Sequence, residues 1–209
     1  MNKKGKFISF EGIDGAGKSI HLNWAKNWLI QKKINVIVVR EPGSTPLGEN
    51  LRELLFHETM RPLTETLLMF SARHELVEKI IKPALKQGEW VISDRFVDAS
   101  YAYQGGGREI PLEIIDWLKN KTLNGIIPDL TFLFTTSVST AEKRRQKLEV
   151  NKLGLDRFEK EDNQFFNKVH NAYLECQKRE PQRIININAE RDIKFIREEL
   201  TKWLEFQVG

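Results

Sequence analysis

The stretch Gly12-Ile13-Asp14-Gly15-Ala16-Gly17-Lys18-Ser19 fills every fixed position of the pattern G-x-x-x-x-G-K-[ST] and follows a short apolar run, Phe7-Ile8-Ser9-Phe10. An apolar strand, a glycine-rich turn and a helix, in that order, are the context the pattern requires. Each residue type has a physical reason to be there. Glycines let successive backbone N–H groups turn inward around an anion, at φ values that a Cβ penalises. The helix beginning near Lys18 points its positive dipole end at the same anion. Lys18 supplies a cation for the outer phosphates, and the Ser19 hydroxyl suits a Mg²⁺ ligand. A glycine-rich turn with a chance Gly-Lys-Ser is the competing reading, and the flanking context weighs against it. The loop therefore reads as a cradle for a nucleoside triphosphate with Mg²⁺, built from Gly12, Ile13, Asp14, Gly15, Ala16, Gly17, Lys18 and Ser19. It leaves open what receives the phosphate.

The 209 residues suffice for one domain, 1–209, with a sizeable core. Hydrophobic residues make up 40% and charged residues 30%, the balance of an ordinary soluble globular chain. Basic residues number 33 against 29 acidic, a formal charge of +4 with no long run of like charges. That pattern fits anionic small molecules and argues against a nucleic-acid partner. The lone Cys176 excludes an internal disulfide framework and suits a reducing compartment; it reads as a half-buried hydrophobe on a helix. Met1-Asn2-Lys3-Lys4 is positive like the start of a signal peptide, but the apolar run behind it is short and meets Glu11 and Asp14. No apolar stretch approaches the ~18 residues that span a bilayer. The expectation is a soluble cytoplasmic protein with no membrane partner.

Short β-rich runs alternate with longer helical patterns, which predicts an α/β fold with a parallel sheet wrapped by helices. Strands are expected at 6–10, 35–39, 89–93, 130–134 and 183–187. The run 35–39 is nearly all apolar, as for a strand buried on both faces. The first helix carries Leu22, Ala25, Trp28 and Leu29 on one side, and the last carries Ile193, Ile196, Leu200, Trp203 and Leu204. Residues 64–87 read as helical, with Leu67, Phe70, His74, Val77 and Ile81 on a stripe.

In a doubly wound sheet the ligands sit at the carboxyl ends of the strands. The first predicted strand leads into the phosphate loop, the second into Arg40-Glu41-Pro42-Gly43, and the third into Asp94-Arg95-Phe96. The fourth leads into Thr135-Thr136-Ser137, ahead of a basic helix with Lys143, Arg144 and Arg145. Phosphoryl transfer is mostly positioning plus electrostatics, so a charged rim is what it needs. Asp94 stands where such an enzyme places a carboxylate for Mg²⁺ or its waters, and Arg95 can fork two N–H donors onto a phosphate. A strand-end turn with a surface ion pair is the plainer alternative. Phe70 and Arg73 are one helical turn apart and form a platform for a planar base with an exocyclic oxygen, although Phe70 alone fits a core aromatic as well. Tyr101, Tyr103 and Gln104 precede Gly105-Gly106-Gly107-Arg108, where the glycines suggest a flexible or sharply turned loop. The segment 143–152 is strongly basic, and Leu155-Asp156-Arg157-Phe158 reads as the opening of another helix. A mobile lid at about 143–157 and a solvated helix end are both compatible with it.

In this order and spacing, Phe10-Glu11 with the phosphate loop, Arg40-Glu41-Pro42-Gly43, Phe70-Ser71-Ala72-Arg73, Asp94-Arg95-Phe96, Ala102-Tyr103-Gln104-Gly105-Gly106-Gly107-Arg108, Pro128-Asp129-Leu130 and Asp156-Arg157 resemble the bacterial-type thymidylate kinases, among the P-loop nucleoside-monophosphate kinases. The resemblance runs over nearly the whole chain. It implies a three-layer α/β/α fold with a five-stranded parallel sheet, a reaction of ATP with dTMP assisted by Mg²⁺, and a homodimer. It implies catalytic roles for Lys18, Asp94, Arg95 and a lid arginine, and metal contacts at Ser19 and Asp94. Asp14 matches the carboxylate that binds the sugar 3′-hydroxyl, and Arg52 and Arg95 match acceptor-phosphate ligands. Phe70 would stack on thymine, Arg73 would bond its O4, Ser100 and Gln104 would lie near the base edge, and Tyr103 would crowd the 2′ position. Glu41 and Pro42 complete the implied substrate site.

Three positions depart from the family pattern. Ser44 stands where a second glycine is common, and Ile20 where a hydroxyl residue is common. Some members carry a catalytic arginine at the position of Gly15, so its place here falls to the lid. Arg144, Arg145, Lys147 and Lys152 are the candidates, of which Arg145 is the expectation. A kinase for another nucleoside monophosphate or a deoxynucleoside, or a regulatory ATPase switch, would carry much of the same sequence.

Overall fold

The computed structural model describes residues 5–149 and 156–208. Residues 1–4, Lys152 and Leu155 lie outside them. The chain runs β1 (Phe7–Glu11), α1 (Lys18–Gln31), β2 (Val36–Arg40), α2 (Pro46–His57), α3 (Pro62–Leu76), α4 (Lys82–Lys86), β3 (Trp90–Asp94), α5 (Val97–Ser100), α6 (Leu112–Thr122), β4 (Leu130–Thr135), α7 (Val138–Glu149), α8 (Asn163–Arg179), β5 (Ile184–Asn188) and α9 (Ile193–Val208). Two π-helical segments, Val77–Ile81 and Tyr101–Gly107, continue α3 and α5.

The five strands form one parallel sheet in the order β2-β3-β1-β4-β5. Period-2 alternation splits its side chains between two cores. Ile8, Phe10, Ile92 and Phe132 face a core shared with α1, α8 and α9, whereas Phe7 and Val91 face one with Phe70, Val77, Ile115 and Leu118. The result is the predicted three-layer α/β/α P-loop arrangement. Register does the rest: Phe10 pairs with Asp94, and Asp94 with Arg40, so the ends of β1, β2 and β3 deliver the three charged segments to one rim.

Several expectations are corrected. Four of the five strands begin one residue later than predicted. β2 is not buried on both faces; it is an edge strand, and Val38 is exposed. Phe70, Val77 and Ile81 are buried as expected, but Leu67 and His74 face outward, as does Ile193 in α9. Leu67 and His74 lie within α3, whose inward side is set by Thr66, Phe70, Arg73 and Leu76, so the predicted stripe is rotated off the buried face by about one position. Gly105-Gly106-Gly107 is no flexible loop. A Cβ at Gly106 would stand 2.5 Å from the Ala172 Cβ and one at Gly107 2.4 Å from Phe165, so these glycines serve close packing on α8. Nor does a helix open at Asp156-Arg157-Phe158. Asp156 Oδ1 there accepts from the N–H groups of Phe158 and Glu159 in a turn, and α8 starts at Asn163 behind an Asp162 cap.

Candidate active site

The phosphate loop adopts the conformation its glycines allow, with φ of 131° at Gly12, 85° at Gly15 and 89° at Gly17. Gly15 carries a second constraint. A Cβ there would lie 2.2 Å from the Ala141 carbonyl oxygen, because α7 crosses the loop at this residue. An arginine side chain has no room at that position. The same crossing brings two arginines of α7 to the loop: Arg145 Nη1 donates to the Asp14 carbonyl (3.2 Å), and Arg144 Nη2 to the Ala189 carbonyl (3.0 Å). Arg145 is buried, its guanidinium 4.1 Å from the Phe166 ring centroid, while Lys143 and Lys147 are exposed. Lys18 is buried within the loop, where Nζ donates to Gly12 O (2.9 Å) and Ile13 O (3.2 Å). Burial and the neighbouring Arg95 lower its pKa against the pull of Asp14. Ile13 and Ala16 are buried beneath the loop; Ser19 and Ile20 are exposed at its helical end.

Arg95 is the hub of the rim. Its backbone sits at φ 70°, the left-handed region, and its N–H donates to Phe10 O at 3.0 Å. Nη1 donates to Gly12 O and Tyr173 Oη, each at 3.0 Å, and Nη2 to Asp14 Oδ1 (2.6 Å) and Tyr103 Oη (3.1 Å). Tyr103 in turn donates to Asp14 Oδ2 at 3.1 Å. Burial alone would raise Asp14, but Arg95 and Lys18 hold its carboxyl well below the ordinary carboxylate range. Beneath Arg95 the buried Glu11 accepts from Phe96 N (2.6 Å) and Tyr173 Oη (2.8 Å); burial, reinforced by Asp98, raises its pKa. The sequence assigned no role to Glu11, quoted only within a motif, and none to Tyr173. The signal for Glu11 was a carboxylate closing an otherwise apolar strand, while Tyr173 gave none.

At the other end of the rim, buried Arg73 is held by three acceptors: Glu41 Oε2 (2.7 Å), Ser100 Oγ (2.9 Å) and Phe96 O (3.3 Å). Its guanidinium lies 4.7 Å from the Phe70 ring centroid, so the predicted pair does meet. Phe70 itself is 1% exposed, and Met69 rather than Phe70 lines the adjoining cavity. Glu41 is pushed up to about 7 by burial, which its Arg73 partner only partly offsets. Arg52 Nη1 donates to Pro42 O (2.9 Å) and stacks its guanidinium on Phe56 at 4.1 Å. Ser44 adopts φ 66° where glycine is common, and its hydroxyl compensates by accepting from Arg40 N (2.8 Å).

These groups converge on one cavity of ≈ 340 Å³. Its lining includes Asp14, Lys18, Ser19, Glu41, Pro42, Arg52, Arg73, Asp94, Arg95, Ser100, Tyr103 and Gln104 from the predicted set. Arg40 and Asp156, which the sequence motifs include without a stated role, line it too, as do Phe56, Phe158 and Glu159, which were not anticipated as site residues. Arg157, quoted in a motif without a role, ties the turn at 156–160 to α2 by donating from Nε and Nη2 to Leu55 O. Among the described residues no group of three or more His, Cys, Asp or Glu could hold a metal ion unaided. The donor set nevertheless fits Mg²⁺, which takes few protein ligands alongside phosphates and water. Ser19 and Asp94 face the same cavity, and among the described residues the Asp94 carboxylate accepts no hydrogen bond. No helix of the described chain is long and apolar enough to cross a membrane.

The family model described as "Thymidylate kinase" matches residues 10–200. Thymidylate kinase of Nitrosospira multiformis is 47% identical over 201 residues, 95% of this chain and 96% of the relative. That of Thiobacillus denitrificans is 47% identical over 205 residues, 98% of each. The crystal structure of thymidylate kinase from Ehrlichia chaffeensis superimposes with a TM-score of 0.76 at 32% identity, covering 96% of this chain and 98% of the other. The chain belongs to the thymidylate kinase family.

Proposed function

We propose that the chain transfers the γ-phosphoryl group of ATP to dTMP, giving ADP and dTDP. The observation that carries this reading is the single cavity in which the phosphate loop, Arg95 and the Glu41–Arg73 pair face one another. The loop amides and Lys18 take the ATP phosphates, with Lys18 exchanging Gly12 O and Ile13 O for phosphate oxygens. Arg95 and Arg52 hold the acceptor phosphate, and the Asp14–Tyr103 pair meets the sugar, Tyr103 disfavouring a 2′-hydroxyl. Arg73 donates to the exocyclic oxygen of the base. Ser100 and Gln104 line its edge, and stacking on Phe70 requires that buried ring to open. Arg145, anchored on Asp14 O, stands closest to the role of the missing loop arginine; Arg144 is the second candidate. Ser19 and Asp94 would hold Mg²⁺, whose chemistry there is to neutralise charge on the transferring phosphates.

The same reading makes the protein a cytoplasmic, single-domain homodimer. Leu54 on α2, Leu67 on α3 and Trp117 on α6 are exposed apolar side chains that suit a second copy of the chain. The test of the activity is kcat/KM with ATP and Mg²⁺ across dTMP, dUMP, dCMP, dGMP and UMP. dTMP is expected to be the best acceptor. Another preferred acceptor assigns the chain to that substrate.

A further inference from the structure

The geometry points to Glu65 as a positioning residue that sets the hydrogen-bonding polarity of the base pocket through Gln104. The inference rests on the dTMP reading above and extends it to a residue outside the cavity lining. Glu65 lies in the first turn of α3 and is 0% exposed. Its Oε1 accepts from Gln104 Nε2 at 2.8 Å. Its Oε2 accepts from Arg108 Nε at 3.1 Å and pairs with Arg157 Nη1 at 2.7 Å. Every partner is an N–H donor, so Glu65 serves these contacts as acceptor only.

That fixes an otherwise ambiguous side chain. A glutamine amide can present either its N–H groups or its carbonyl, and rotation by half a turn exchanges them. With Nε2 committed to Glu65, the Gln104 carbonyl is turned away from Glu65; among the described residues its Oε1 accepts no hydrogen bond, and Gln104 lines the cavity. Arg73, eight positions further along α3, has its fork oriented by Glu41, Ser100 and Phe96 O. Two buried carboxylates therefore each orient one recognition group, a donor at Arg73 and an acceptor at Gln104. Thymine offers the complement, an O4 acceptor beside an N3–H donor. Cytosine presents the reverse, an exocyclic amine beside an unprotonated N3, and would leave buried polar groups mismatched at both points. Glu65 touches no base yet supplies half of this discrimination.

The test compares wild type with Glu65→Gln and Glu65→Asp, measuring KM for dTMP, KM for ATP and the dTMP/dCMP ratio of kcat/KM. Glutamine at 65 can donate or accept, so the Gln104 amide loses its preferred orientation. Aspartate keeps a charge facing Arg108 and Arg157 but withdraws it from Gln104 by one methylene. In Glu65→Gln the dTMP/dCMP ratio is expected to fall about tenfold and the dTMP KM to rise, with the ATP KM within about twofold of wild type. Glu65→Asp is expected to move the same way by less, and it decides the matter if Glu65→Gln does not fold. An unchanged ratio in a folded variant overturns the proposal, as do equal rises in both KM values. Failure of both variants to fold assigns Glu65 to structure alone and overturns it as well. A wild type that does not prefer dTMP refutes the substrate reading; a wild type that does, with unaffected variants, refutes only the role of Glu65.

Discussion

Replacing Arg95 by lysine separates the geometry of the rim from its charge. The guanidinium reaches Gly12 O and Tyr173 through Nη1, and Asp14 and Tyr103 through Nη2. An ammonium is a point charge that cannot span both ends of this fork. At least one charge-assisted bond is lost, worth about 1.5–3 kcal/mol, and the acceptor phosphate loses its bidentate seat. About 2.7 kcal/mol at the transition state corresponds to about a 100-fold fall in kcat. Lysine meets the same backbone penalty at φ 70°, so no relief of strain complicates the comparison. Steady-state kinetics with dTMP and ATP varied in turn, beside a thermal melt, reads the effect. kcat should fall about 100-fold with the ATP KM within about threefold of wild type. A kcat within about threefold of wild type, or matched rises in both KM values, would refute the assignment of Arg95 to the transferring phosphate.

Arg73→Ala should raise the KM for dTMP at least about tenfold and leave that for ATP unchanged, since Arg73 meets only the acceptor end. Glu41, raised to about 7 by burial even with Arg73 beside it, then takes up a proton at neutral pH, so a melt should still show folded protein. Equal effects on both substrates would count against base recognition. His21 governs a different property, acid stability. It is buried, stacks on Phe134 at 5.3 Å between ring centroids, and its Nδ1 finds no partner among the described residues. Burial, with Arg197 adding to it, lowers its pKa from 6.5 to about 4. The unfolded chain thus binds a proton that the folded chain refuses. The stability from neutral His21 is complete above pH 6.5 and drains as pH falls to 4, by at most about 3 kcal/mol. Denaturant midpoints at pH 7.5 and 4.5 should show a smaller acid loss in His21→Phe than in wild type; equal losses would contradict this.

The range of each physical cause decides how much of the fold and the site was legible in the sequence. The phosphate loop, the strands and the Arg73–Phe70 pair depend on neighbours a few residues apart, and the sequence places them to within a residue. Arg95 was legible because a charge directly after a buried strand needs partners, which Asp14, Tyr103 and Tyr173 supply. Edge position was not: the apolar run of β2 is the same whether one or two strands flank it. The glycines at 105–107 read as loop because their reason, the approach of Ala172 and Phe165, lies some sixty residues away. Gly15 shows the same limit, since the Ala141 carbonyl that excludes a side chain belongs to a distant helix. Glu65 and Tyr173 act through partners in other elements, and no local spacing announces them.

Incubation of the protein with dTMP and ATP labelled on its γ-phosphate, with Mg²⁺, and then separation of the nucleotides, tests the central claim most directly. Label should appear in dTDP in step with the loss of ATP, and omission of dTMP should leave ATP nearly intact. Label released only as inorganic phosphate, at a rate indifferent to dTMP, would contradict phosphoryl transfer at this site.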